Sequence, residues 1–330
     1  MSFLICIFRL ITLIKFIFCE NAYFAIVYWT LLVMVHNCLC CGDKMVKIGN
    51  FYYMLYIAFF ILLFMFLYHR LKDKEINKQK QFLQIVLFLN LALHFCKLLF
   101  NPYRDNLPES IRKVTFENIC AVSTLLFPFI YLRNSKDSVL KNYFYFIGVL
   151  GGGLAILIPT EAIGKSPICF DTIRFYVCHF VLIMVPLLSA KFGIIELDYK
   201  KTFYVPLCFI IVEMLILINE LILIKIGFVQ CDNISMFFDR DYRNSSFIFG
   251  PTSLFDGISK IITIFTPKMF KTDYFMINNG VNFFFPILWL IIPALIYLPL
   301  INILIQMPFT WKEIKKVFIE KKKKMEGKTC

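Results

Sequence analysis

Cys120 and His179 are the residues of this 330-residue chain best suited by type and setting to do covalent chemistry. Cys120 follows Asn118 at the head of the apolar stretch 118–132, where a helix is expected to begin. The first turn of a helix carries partial positive charge and unpaired N–H groups, which favour a thiolate and can hold an oxyanion. An imidazole within reach of such a thiol takes its proton and later gives it back, the pairing that opens and remakes esters through a thioester. The competing reading is packing: one of twelve cysteines acting as a small hydrophobe, and one of four histidines bonding a neighbouring helix.

Other polar residues sit inside apolar runs, where an ionisable group is costly and commonly functional. His94, Lys97, Asn219 and Glu220 are the candidates to orient His179 or to bind a substrate headgroup. At 1.5 Å per residue, the expected topology puts His94, His179, Asn219 and Glu220 about 9–14 Å from one end of their helices, with Lys97 nearer still. For His94 the alternative is a simple bond to Glu220, and for Lys97 a reach toward headgroups. Glu213 is expected deeper, facing the interior.

The elements that must position these residues are membrane helices. Hydrophobic residues make up 59% of the chain, Phe alone occurs 39 times and mean hydropathy is +0.73, more apolar surface than a water-facing domain can hide. Apolar runs at 3–18, 22–41, 51–68, 82–100, 118–132, 143–159, 172–196, 203–228 and 282–307 predict an all-α polytopic bundle of about eight spans, with seven to nine as the range. Residues 1–45 are expected to be a membrane anchor or extension, its first run resembling a signal sequence without a convincing cleavage site. Residues 46–308 form the transmembrane unit, with a long extracytoplasmic loop at 229–281 whose apolar patch Ile261 to Phe265 is expected to dip into the interface. Residues 309–330 form a basic cytoplasmic tail.

Net charge is +13, but the basic residues cluster between apolar runs and in Lys321 to Lys324. That distribution sets topology and meets anionic headgroups, so nucleic acid is not an expected partner. Arg70, Lys72, Lys74, Lys78, Lys80, Arg133, Lys136, Lys141, Lys200 and Lys201 fall in alternate connections and predict their side, with the C-terminus, to be cytoplasmic. No CxxC pair or Cys/His ligand spacing occurs, so neither a metal nor another cofactor is expected. Gly148 and Gly151 to Gly153 lie inside an apolar run and read as a small-residue face for close helix packing.

The stretch Asn118-Ile119-Cys120, Pro128, Tyr143 to Gly148, Gly151 to Pro159 and Phe175 to His179, with the span near Asn219, resembles the YwaF-type bacterial membrane proteins over roughly residues 50–300. The Asp that often follows the proline in that family is Thr160 here. Animal relatives of the family are membrane acyltransferases that remodel glycerophospholipids, including ether lipids, with a Cys and a His on separate helices as the proposed catalytic pair. The resemblance implies Cys120 and His179 in those roles, membrane phospholipids and lyso-phospholipids as partners, and a cell-membrane location. The function expected is acyl transfer between glycerophospholipids through a Cys120 thioester. The alternatives are a non-enzymatic transporter or lipid-moving protein, and a lipid hydrolase. The absence of a useful internal repeat weakens a transporter built from inverted halves. Oligomeric state is not legible.

Overall fold

In lipid every backbone polar group must be satisfied within the protein, so apolar runs of this length form helices. The computed structural model describes residues 45–326 apart from 102, 134–137, 243–245 and 254–255; the two runs before residue 45 lie outside the described residues. The long helices are α1 (Phe51–Leu71), α2 (Ile76–Phe95, extended by a 3-10 turn at Cys96–Leu99), α5 (Val139–Leu157), α6 (Phe170–Lys191), α7 (Val205–Lys225, preceded by a 3-10 turn at Tyr199–Tyr204) and α10 (Leu288–Glu326). Among the described residues six helical stretches are long and apolar enough to cross a membrane, and the shorter α4 (Ile119–Leu132) packs among them. Small helices fill the connections: α3 (Leu107–Val114), α8 (Ile234–Phe237) and α9 (Asp256–Ile262). Among the described residues there is no strand.

Polar caps start several helices where the apolar runs begin. Asn50, Asn118 and Ser138 accept the N–H groups of Tyr53, Ala121 and Lys141 through their side-chain oxygens. The chain then alternates direction. One end of the bundle carries the 158–169 connection, the end of α2 and the start of α4; the other carries residues 72–75, the end of α4, the start of α5 and residues 192–198.

Helix α6 is the axis: 72% of its apolar stretch is buried, against 22% for α1 at the periphery. Tyr56 and Phe60 of α1 stack one helical turn apart on Tyr176 and Phe180 of α6, with ring centroids 4.1 and 4.6 Å apart. On the α5 side the glycines set the approach. A Cβ at Gly148 would lie 2.4 Å from the Leu182 carbonyl oxygen, and one at Gly152 would lie 2.8 Å from Ile183 Cγ1 and 3.1 Å from the His179 carbonyl oxygen. Gly153 meets nothing within 4 Å, and Gly151 meets only Ile147 of its own helix. The close-packing face is therefore the pair Gly148 and Gly152, four residues apart.

That division has a measurable consequence. Gly148→Ala is expected to cost about 1–3 kcal/mol by overpacking against backbone that cannot yield. Gly153→Ala is expected to be neutral or to gain up to about 1 kcal/mol of helix propensity. Thermal unfolding of the two variants in one detergent tests this; similar shifts in both would contradict the assigned face.

A second polar layer locks the end opposite Cys120. Gln306 donates to Asn142 and Asn302, Asn302 donates to Thr202, and all four are fully buried. Asn142 also accepts the Asp198 N–H, and the Tyr145 hydroxyl donates to the Ile305 carbonyl. Interhelical bonds of this kind hold bundles together where hydrophobic driving force between helices is absent.

Candidate active site

Cys120 is the second residue of α4. The Ala121 N–H is taken by the Asn118 side chain at 2.8 Å and the Ile119 N–H by the Ser246 hydroxyl at 3.1 Å. The Cys120 N–H is left with no intramolecular acceptor among the described residues. A donor beside the sulfur at a helix N-terminus is what an oxyanion formed on an acylating thiol needs.

His179 is buried at the third turn of α6, with its ring 4.3 Å from that of Phe175. Its Nδ1 donates to the Phe175 carbonyl at 2.7 Å. A carbonyl can only accept, so the proton of the neutral ring sits on Nδ1 and the Nε2 lone pair is free to serve as a base.

Three of the residues selected from sequence converge on one turn. His94 Nε2 donates to the Val114 carbonyl at 3.2 Å, Lys97 Nζ to the Lys113 carbonyl at 2.6 Å and Asn219 to the Thr115 hydroxyl at 3.2 Å. Lys113 and Val114 close α3, where the last carbonyls lack helical partners and attract positive charge. Lys97 is buried, so it serves this turn rather than reaching for headgroups. The turn leads through Glu117 directly into Asn118 and Cys120, so these side chains fix the approach to the thiol. Glu220 is buried on α7 beside Asn219.

Above this lies a layer of charge. Arg174 of α6, 5% exposed, spans Glu161 at 3.3 Å and Asp171 at 3.6 Å. Asp171 also takes Lys165 and the Tyr103 hydroxyl, each at 3.0 Å. Lys113 pairs with Glu117 at 2.7 Å, and Arg112 joins it at 3.6 Å. Arg174 lies inside the apolar run 172–196, so the rule that selected His179 selects it too. Glu161 followed a proline in a connection and carried no such signal.

Glu161 ties the layer to the candidate pair. Burial pushes its carboxyl upward, but the charges of Lys113, Arg174 and Lys97 outweigh this and hold it at about 2; His179 acts on it in the same direction. Its charge is also felt at Cys120. Burial alone would lower the Lys113 ammonium, yet Glu117 and Glu161 hold it above its ordinary value. Burial and then the Asp171 carboxylate push the Tyr103 phenol up. A carboxyl depressed in the folded state contributes stability in full above its unfolded value, and loses it as pH falls toward the folded one. Glu161 should therefore support the fold above about pH 5 and lose that support between 4.5 and about 2. Melting temperatures measured across that window should fall less steeply for Glu161→Gln than for the parent. Parallel curves would count against this assignment.

Deeper in the bundle, Glu213 is fully buried and neither carboxyl oxygen has a hydrogen-bond partner among the described residues; the same holds for the Tyr143 hydroxyl. The two are close enough to interact electrostatically, and Cys120 and Cys208 act on the same phenol. Among the described residues no group of three or more His, Cys, Asp and Glu side chains is arranged as metal ligands.

Residues 45–305 match the TMEM164 family model, a stretch that takes in five of the six candidate membrane spans among the described residues, most of the sixth (Leu288–Trp311) and both candidate catalytic residues. The chain belongs to the TMEM164 family. That family is one of membrane proteins, and the apolar helices agree that this is an integral membrane protein. No curated protein and no solved structure matches the chain.

Proposed function

We propose that this protein is a membrane-embedded acyltransferase that moves a fatty acyl chain between glycerophospholipids through a thioester on Cys120. The Cys120 thiol gives its proton to His179 Nε2 and attacks the ester carbonyl of the donor lipid. The carbon–oxygen bond breaks, and the departing lyso-lipid oxygen takes the proton from His179. The acceptor lyso-lipid hydroxyl then passes its proton to His179 and attacks the thioester carbonyl, the carbon–sulfur bond breaks, and the proton passes from His179 to the departing thiolate. The donor ester already carries the activation, so no nucleotide is consumed.

The observation that carries this reading is the placing of Cys120 in the first turn of α4, its N–H left without an intramolecular acceptor among the described residues, while His179 keeps its ring proton on Nδ1. In the charged layer at this end Arg112, Lys113, Lys165 and Arg174 outnumber Glu117, Glu161 and Asp171, a balance that suits a lipid phosphodiester. Purified protein should be incubated with a phospholipid carrying an isotope-labelled acyl chain and with an unlabelled lyso-phospholipid. Mass spectrometry should find the label on the former lyso-lipid. Label found only as free fatty acid would make the protein a hydrolase.

The Lys/Arg imbalance supports an extracytoplasmic site and a cytoplasmic tail. Tags within 70–80 and after Lys324 should then report cytoplasm, and one within 230–280 the opposite side; the reverse pattern would invert the assignment.

Glu213, buried without a hydrogen-bond partner among the described residues, and the Asn142–Asn302–Gln306 layer beyond it favour a second reading as an ion or lipid mover, because they put polar groups at several depths. Flux of protons or labelled lipid in sealed vesicles that survives Cys120→Ala would support it.

A further inference from the structure

Within the segment between α7 and α10, residues 259–266 have their polarity turned inside out. Ser259 and Thr266 are buried against the protein, while Ile261, Ile264 and Phe265 are 59%, 66% and 42% exposed. In water that arrangement is backwards; against hydrocarbon it is the expected one.

Its depth follows from its contacts with α10. Thr266 Oγ1 donates to the Trp289 carbonyl at 3.0 Å, and the Tyr297 hydroxyl donates to the Ile261 carbonyl at 2.7 Å. The Phe265 and Tyr297 rings lie 5.7 Å apart. Trp289 and Tyr297 are separated by about 12 Å along the helix, inside the apolar stretch Leu288–Trp311. Exposed Leu288, Ile292 and Leu295 on the same stretch continue the apolar surface. Where the backbone turns, Lys271 Nζ caps the Thr263 carbonyl at 3.2 Å, a group that acyl chains could not satisfy. Exposed Lys260 and Lys268 flank the apolar side chains and suit anionic headgroups.

We propose that residues 256–270, comprising α9 and the two 3-10 turns Thr263–Phe265 and Lys268–Phe270, form a half-inserted lipid-binding element. Its occupant is the acyl-chain layer of the leaflet at the Cys120 end. The element is tied to the thiol's helix: Trp289 Nε1 donates to the Phe247 and Ile248 carbonyls at 3.0 and 3.1 Å, and the adjoining Ser246 holds the Ile119 N–H. The inference does not depend on acyl transfer.

The test is Ile264→Trp in the full-length protein in vesicles, its emission read as the difference from the parent. Phospholipids brominated along the acyl chain should quench the added indole at least about twofold more than aqueous iodide does. Phe265→Trp, a conservative change, carries the same test should the first variant fold poorly. Iodide quenching without quenching by bromolipid would put the segment in water and overturn the proposal. Quenching by neither would mean that protein, such as a second copy of this chain, covers the face, and would overturn it equally.

Discussion

Replacing Cys120 with Ala is expected to reduce acyl transfer on the order of 10³-fold or more while leaving the helical fold intact. The sulfur is the atom that would bear the acyl chain. Removing one small group costs only about 1 kcal/mol, so the loss would be chemical. Cys120→Ser should be nearly as inactive, because a hydroxyl lacks thiolate character. His179→Ala should be comparably severe, since residues that act as a unit lose nearly everything singly. Cys231→Ala removes a thiol from the long connecting segment, where Sγ donates to the Asn233 carbonyl at 3.6 Å, and should keep the rate within about twofold. Transfer rates of the four variants, measured with the labelled-lipid assay and normalised to folded protein, decide between a thiol mechanism and a packing role.

Arg174→Met should give the largest loss of stability among the charged positions. Its guanidinium is buried between Glu161 and Asp171, and its removal leaves both carboxylates short of a partner. Breaking a buried pair costs about 3–5 kcal/mol, but Glu161 is one-third exposed and Asp171 keeps Lys165 and Tyr103, so about 2–3 kcal/mol is expected. Arg174→Lys should recover part of it, since one ammonium cannot span two carboxylates as a fork does. Thermal unfolding in detergent reads both changes. A Met variant as stable as the parent would show that the charged layer does not hold this end together.

The helical architecture was legible because lipid permits few solutions: an apolar run of sufficient length must satisfy its own backbone. Cys120 was legible for a local reason, since Asn118 two positions earlier marks a helix start and the structure uses it as the cap. The convergence of His94, Lys97 and Asn219 on residues 113–115 was not. It depends on α3, an eight-residue helix inside what reads as a polar connection, whose final carbonyls attract these donors. The glycine run shows the same limit. Composition marks Gly148 and Gly151 to Gly153 alike, but only the 3.6-residue period and the direction of α6 single out Gly148 and Gly152. Glu161 was invisible because its importance lies in long-range charge from Lys97, Lys113 and Arg174 on three separate elements.

The thioester itself is the most direct test of the proposed chemistry. Purified protein should be mixed with a phospholipid donor in the absence of any lyso-lipid acceptor, stopped with acid and digested for peptide mass spectrometry. The expected result is an acyl mass on the peptide containing Cys120, removed by neutral hydroxylamine, absent from Cys120→Ala and discharged when lyso-phospholipid is added before the acid. Acyl transfer that proceeds at the parent rate in Cys120→Ala, with no adduct on the parent protein, would contradict the account.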